Sequence, residues 1–188
     1  MNYNSTNRLS DKQLVERVLQ GDHHAFGIIV KDTERLVWQI VGRMIRHPED
    51  RKDIVQDVYL KTFKHLSGFR YAAKLSTWIG NIAYNTCINF LERRRLRVVG
   101  DEFFPETPDD GTEALVEGRQ LTAIVTARIE DLPPLYKTLL VLFHREGLSY
   151  ADIGQITSLP EGTIKSYLFR ARKQLKESVL GQYKKEEL

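Results

Sequence analysis

The sequence predicts an all-α protein: two small helical domains joined by a flexible acidic linker, the C-terminal one containing a helix-turn-helix. Three observations predict it. Apolar residues recur at three- and four-residue spacing from Ser10 to Leu91 and again from about residue 119 to Leu175, inside 3.6-residue periods rather than strand alternation. Between these blocks, residues 98–118 hold two prolines, three glycines and no Lys or Arg, the composition of a boundary. Near the C-terminus, Pro160 separates a short helical pattern from a longer one whose outer face is basic.

Composition bounds the function. The chain has 188 residues, 41% hydrophobic and 28% charged, enough for a core in one medium domain or two small ones. Its single cysteine, Cys87, has no partner for an internal disulfide and lies in an apolar run, which reads as a buried small hydrophobe. No apolar run approaches the ~20 residues of a membrane span, and MNYNSTNRLSDKQ offers no signal segment, so the expected location is the cytosol. Net charge is only +3, but it is unevenly spread. Residues 1–97 carry 17 basic and 10 acidic groups, 98–118 carry seven acids and no base, and 119–188 carry 11 bases and eight acids. Two basic blocks flanking an acidic connector suggest two polyanion-binding modules.

In chain order, Ser10-Asp11 opens a helix with Leu14, Val15, Val18 and Leu19, which Gly21-Asp22 ends. Asp22 caps a second helix from about His23, carrying Phe26, Ile29 and Val30, and a third is expected from Thr33 to about His47-Pro48. The neighbours His23 and His24 point in different directions on a helix and read as surface groups, not a metal pair. Pro48-Glu49-Asp50 suits a helix N-terminus; Ile54, Val58, Leu60 and Phe63 are expected to supply its apolar contacts, and Asp50, Asp53 and Asp57 an outer acidic face. No converging His or further carboxylate supports a divalent-metal site there. Phe69 to Ser76 reads as a loop holding aromatics with Arg70 and Lys74, before a helix from Thr77 through Trp78, Ile79, Ile82, Ala83, Ile88 and Leu91 to Arg93-Arg94-Arg95. An aromatic, basic loop joined to a basic helix end suits single-stranded nucleic acid, with arginines on phosphate and a ring or pocket for an unstacked base. The competing reading makes Phe69, Trp78 and Phe90 core and the arginines solvated.

Residues 98–118, fully extended, reach at most about 70 Å, comparable to two turns of B-DNA at ~34–36 Å each. A helix over 119–131, then one from Leu135 to Arg145 stopped by Gly147, lead to the last motif; His144 and Arg145 lack any partner cluster and read as surface groups. Ser149 is a plausible N-cap with Asp152 three residues on, Ile153 and Ile156 give a short apolar face, and Thr157-Ser158-Leu159-Pro160 breaks the helix. From about Glu161, Ile164, Leu168, Ala171 and Leu175 form one stripe, opposite Lys165, Ser166, Phe169, Arg170, Arg172, Lys173 and Lys176. This is the sequence form of a helix-turn-helix.

The stretch LSYADIGQITSLPEGTIKSYLFRARKQLKE closely resembles the C-terminal DNA-binding domain of bacterial RNA polymerase sigma factors of the extracytoplasmic-function (ECF) class. LSDKQLVERVLQGDHHAF, EDRKDIVQDVYLKTF, GFRYAAKLSTW and LPPLYKTLLVLFHREGLSYADI resemble further segments of the same class, in the same order. The resemblance implies a core-binding, −10-recognising and melting domain at 9–97, a linker at 98–118 and a −35-reading domain at 119–178. It implies core polymerase contacts at Asp53, Gln56 and Asp57. For the melted −10 strand it implies Phe69, Arg70, Lys74, Ser76, Thr77, Trp78 and Asn85, with Arg93 and Arg94 as further phosphate contacts. At the −35 element, base reading falls to Lys165, Ser166, Phe169 and Arg170, and phosphate contact to Arg172 and Lys173. The chain departs from the family pattern at Asn81 and Tyr84, where arginine is frequent, which puts phosphate contacts there in doubt.

So read, the protein is a sigma factor that binds core RNA polymerase and double-stranded and melted promoter DNA and has no catalytic, cofactor or metal site of its own. It takes no small-molecule substrate, is not membrane-embedded, and is expected to answer to an anti-sigma factor. The alternative is a stand-alone helix-turn-helix regulator with an N-terminal helical sensor domain. A helical nuclease or phosphotransferase would need clustered carboxylates or a phosphate loop, which the sequence does not offer.

Overall fold

A computed structural model describes residues 9–98 and 117–186, and every described regular element is helical. The polar tail and nearly all of the acidic linker lie outside the described residues. α1 (Asp11–Leu19) starts with a reciprocal cap: the Gln13 amide N–H donates to Ser10 Oγ at 3.3 Å, and the Ser10 N–H donates to Gln13 Oε1 at 2.9 Å. Gly21 turns the chain at φ +94°, and Asp22 caps α2 (His23–Met44) by accepting from the Ala25 N–H at 3.1 Å.

α2 runs unbroken where the sequence suggested two helices. Thr33 does not cap a new helix; its hydroxyl donates back to the Ile29 carbonyl at 2.7 Å and lies 3.2 Å from the Tyr59 hydroxyl, so it stays inside the helix as a buried group. The helix also ends earlier than expected, at Met44 rather than at His47-Pro48.

α3 (Pro48–His65) begins with proline in its first turn and two acids behind it. Ile54, Val58 and Thr62, each four apart, are buried. Leu60 and Phe63 lie off that stripe and are 53% and 46% exposed, so the expectation that they pack the core is corrected. After a 3₁₀ turn (Leu66–Gly68), α4 (Leu75–Val98) begins two residues before the expected Thr77, because the Asp11 carboxylate accepts from the Leu75 N–H at 2.8 Å.

The second half is built from α5 (Glu117–Glu130), α6 (Pro134–Leu140) with a π-helical turn (Val141–Arg145), α7 (Tyr150–Thr157) and α8 (Glu161–Glu186). Gly147 at φ +63° redirects the chain into α7. Ser149 and Asp152 cap α7 reciprocally, with the Asp152 N–H 3.1 Å from Ser149 Oγ. Ser158, left-handed at φ 59°, ends it. At Gly154 an added Cβ would meet the Leu159 carbonyl at 3.1 Å, so a side chain there would press on the backbone of this close turn.

One cluster of buried apolar side chains runs through both halves. α4 packs on α2 and α3 within the first half and on α7 of the second, while α2 also packs on α6.

Candidate nucleic-acid interface

The helix-turn-helix is assembled as its sequence suggested. Ile164, Leu168 and Ala171 are fully buried under α8, and Ile153 and Ile156 are fully buried under α7. Lys165, Ser166, Phe169, Arg170, Arg172 and Lys173 are all exposed on α8, Phe169 by 68%. They are not equally free. The Ser166 hydroxyl donates to the Gly162 carbonyl at 2.9 Å, and Lys165 lies 5.1 Å from the Tyr150 ring centroid. Lys173 is 3.9 Å from Glu177, whereas Arg170 makes no ion pair among the described residues.

Arg172 is held by the preceding element. Its guanidinium donates to His144 Nε2 at 3.2 and 3.1 Å and lies over the Phe143 ring at 5.4 Å, with Phe143 stacked on Tyr150 at 5.0 Å. His144 must keep Nε2 unprotonated to accept these bonds; burial first, then the Arg172 charge, lowers its pKa. His144 was read from sequence as a bare surface group. Its role in orienting Arg172 was missed because the two are 28 residues apart.

In the first half, the loop residues divide. Phe69 is only 7% exposed, tilted against Tyr71 at 4.8 Å and Trp78 at 5.3 Å, and Thr77 is buried too. Arg70, Lys74 and Asn85 are exposed, while Ser76 and Trp78 are half-buried. Phe69 thus forms the floor of the loop, and the exposed ring above it is Tyr71, 46% accessible and held at φ 57°. Sequence reasoning passed over Tyr71; the signal was an aromatic directly after Arg70 in a short loop. Arg93 is exposed, and Arg94 is tied to Asp50 at 3.3 Å and to His47 Nε2 at 3.1 Å.

On α3, Asp53, Gln56, Asp57, Leu60 and Phe63 follow one another at helical spacing along one side. Asp53 and Gln56 are exposed, and Asp57 pairs with Lys61 at 2.7 Å. Phe63 meets Phe26 edge-on at 5.1 Å and stacks on His23 at 6.5 Å, so the acidic stretch continues into an exposed apolar one. Asp50 turns away to Arg94.

At the positions that depart from the family pattern, the two halves meet. Asn81 Nδ2 donates to the Gln155 and Ile156 carbonyls at 3.0 Å each, and Asn85 donates to Asn81 Oδ1 at 3.0 Å. Tyr84 is buried; desolvation, then Cys87 and Tyr167, raise its pKa.

Comparison with known proteins follows the same division. A family model described as Sigma-70 region 2 matches residues 29–97, and one described as Sigma-70, region 4 matches residues 122–175. The ECF RNA polymerase sigma-E factor of Haemophilus influenzae is 32% identical over 183 residues, covering 92% of this chain and 96% of that protein. The RNA polymerase sigma-H factor of Pseudomonas aeruginosa is 31% identical over 180 residues, covering 90% and 93%. The sigma-E factor of Escherichia coli K12 is 33% identical over 183 residues, covering 92% and 95%. Among solved structures, CnrH in complex with the cytosolic domain of CnrY superposes with a TM-score of 0.63 at 20% identity, over 89% of this chain and 95% of that one. RpoE in complex with the anti-sigma factor NepR from Bartonella quintana gives 0.65 at 20% identity, over 82% and 96%. At that identity the two structures establish the fold alone.

Proposed function

The chain belongs to the ECF class of RNA polymerase sigma factors, and from that membership we propose how its surfaces divide the work of promoter recognition. It is a specificity subunit of transcription initiation that docks on core RNA polymerase, reads two promoter elements and helps separate the strands. The polymerase supplies the catalysis. The α3 stretch of Asp53, Gln56 and Asp57 is the core-docking surface, with Leu60 and Phe63 extending it. Carboxylates on such a surface steer and orient a basic partner, and exposed apolar side chains beside them supply the burial that holds it.

α8 enters the major groove of the −35 element. Arg170 is the foremost base reader, since an exposed guanidinium with no ion pair among the described residues can engage guanine O6 and N7. Arg172, pinned by His144 and Phe143, suits phosphate, where position matters more than adaptability. In the loop before α4, Arg70 and Lys74 hold the backbone of the melted −10 strand. Tyr71, rather than the buried Phe69, offers its face to an extruded base. Phe69, Thr77 and Trp78 act by holding that loop in shape. Arg93 and Arg94 extend the phosphate track. The division at 9–97, 98–118 and 119–178 follows, with the acidic linker spanning the two promoter sites.

An anti-sigma partner that withholds the protein from polymerase is part of this reading, supported by the solved complexes of CnrH with CnrY and of RpoE with NepR. The site of action is the cytoplasm; among the described residues no helix is long and apolar enough to cross a membrane. The observation that carries the proposal is one chain joining an outward basic helix-turn-helix to an exposed acidic α3 and an aromatic, cationic loop. The test is reconstitution of the purified protein with sigma-free core polymerase on a promoter library. Transcripts that depend on the protein and share a two-part upstream motif are expected. Duplex DNA binding without any complex with core would refute the assignment.

A further inference from the structure

We propose that the cleft where the end of α2 and the start of α3 face the α5–α6 corner binds a small oligophosphate anion, the chemistry shared by a nucleoside triphosphate and a short inorganic polyphosphate. None of its residues belongs to the promoter and polymerase surfaces assigned above, and the inference does not depend on that assignment.

The cleft has a volume of about 490 Å³ and is lined by Arg43, Arg46, Arg51 and Lys137. Sites for small molecules usually measure ~300–1,000 Å³. Arg43 stands in the last turn of α2, Arg46 in the connection to α3, Arg51 near the start of α3 and Lys137 in α6. Four cations from separate stretches of chain thus converge on one concavity. A solvated row of lysines along one helix does not do this. Met44 and Ile45, both buried, and Pro134 give the cleft an apolar side.

Two carboxylates, Glu130 and Asp131, also line it, and Asp131 is drawn to Arg128 at 2.8 Å. Glu130 pairs with Arg43 and, at 3.3 Å, with Lys137, whose ammonium also donates to the Glu130 carbonyl at 2.9 Å. Burial, then the charges of Arg43 and Arg51, lower the Lys137 pKa; burial, then Arg145 and Arg51, lower that of Arg43. Each cation therefore sits where like charges oppose it, and a multivalent anion in the cleft relieves that repulsion.

The shape selects among anions. Arg51 Nε donates to the Ile45 carbonyl at 2.7 Å, which fixes the plane of a guanidinium at the cleft wall. Guanidinium forks engage phosphate oxygens two at a time, whereas a single compact anion reaches only part of the cation set. The Lys137 side chain is set back, only 14% exposed. A slender phosphate chain reaches it, and phosphates carried on a rigid duplex do not.

Isothermal titration calorimetry on the full chain, with tripolyphosphate, ATP and AMP as probes in magnesium-free buffer, tests the site. Salt near about 0.15 M screens loose surface binding. Saturable one-to-one binding of tripolyphosphate and ATP is expected, with AMP at least about tenfold weaker because it brings a single phosphate. ATP binding more tightly than tripolyphosphate identifies a nucleotide, its base on the apolar side; tripolyphosphate binding as tightly or more so identifies the phosphate chain alone. Arg46→Ala, at an exposed position, and Lys137→Met, which keeps the aliphatic stem, should each weaken binding about tenfold, the loss of one charge-assisted hydrogen bond. Circular dichroism verifies that both variants fold. Arg170→Ala, on the DNA-facing helix, should bind the probes as wild type does. No saturable heat from either oligophosphate, or unchanged binding in the folded Arg46→Ala and Lys137→Met proteins, would overturn the proposal and leave these cations to hold Glu130. Loss confined to Arg170→Ala would overturn it too, by placing the anion on α8.

Discussion

The bond from Asp11 to α4 gives the most direct test of how the first half holds its DNA-facing loop. Asp11 opens α1, yet its Oδ2 accepts from the N–H of Leu75, the first residue of α4, at 2.8 Å. Leu75 is 3% exposed, so in Asp11→Ala the donor would stay buried without a partner. Leaving a buried donor unsatisfied costs about 1–3 kcal/mol, and losing a helix N-cap about 0.5–2 kcal/mol. A loss of about 1.5 kcal/mol in a chain of this size corresponds to a melting-point drop of roughly 3–6 °C. Asp11→Asn retains an acceptor oxygen and should lose less than half as much. Differential scanning fluorimetry of the three proteins supplies the comparison. The functional counterpart is permanganate reactivity of promoter thymines with core polymerase. Strand opening should fall in Asp11→Ala while −35 binding persists, because the loop before α4 loses its anchor and α8 does not. An Asp11→Ala protein melting with wild type would refute the reasoning. So would Asp11→Asn as damaging as Asp11→Ala, since the effect would then lie in the charge at the start of α1.

Other perturbations separate the remaining roles. Arg170→Ala should lower discrimination between −35 sequences by ~1–3 kcal/mol, while Lys173→Ala should weaken all sequences alike and reduce the salt slope by about 0.9, both measured by fluorescence anisotropy over a salt series. The folded pKa of His144 lies below that of the unfolded chain, so its contribution is complete above about pH 6.5 and lost as pH falls through that value toward the folded pKa. Urea midpoints from pH 8 to 5 should fall for wild type more than for His144→Gln, which cannot protonate. Burial pushes the Cys87 thiol up to about 12, so it should resist a disulfide exchange reagent at pH 8 in the native protein and react at once in urea. Phe63→Ala removes a ring that is 46% exposed, so stability should stay within about 0.5 kcal/mol of wild type. Its affinity for core polymerase, by titration of a labelled protein, should fall at least about fivefold.

What was legible in the sequence was local. Ser10 with Asp11, Asp22, Pro48-Glu49-Asp50 and Ser149 with Asp152 announce their helix starts because each signal lies within three residues of the helix it opens. The helix-turn-helix could be read in full, with Ile164, Leu168 and Ala171 inward and the cations outward. The misreadings trace to partners distant in sequence. Thr33 was expected to start a helix but turns its hydroxyl to Ile29, and α4 starts early because its cap comes from Asp11, 64 residues away. Leu60 and Phe63 passed for core because apolar residues at helical spacing look alike whether they pack inward or wait for a partner. Phe69 and Tyr71 could not be ranked either, since which ring of a short loop is buried depends on Trp78 beneath it.

α4 shows why the contact between the two halves could not be read. Leu75, Ile79, Ala83 and Cys87 recur every four residues and are buried, an ordinary inward stripe. Gly80 and Tyr84, one position over, form a second buried stripe, along which Gly80 closes against Ile156 of the other half. A helix buried along two stripes loses the one-sided periodicity from which orientation is inferred. The same doubling explains the departures from the family pattern. Arginine at 81 or 84 would need water or phosphate around its charge. Asn81 and Tyr84 can instead be covered, the first by donating its amide to two carbonyls and the second by burying a ring. Neither side chain carries a charge to desolvate, so this face of α4 can stay covered by the second half.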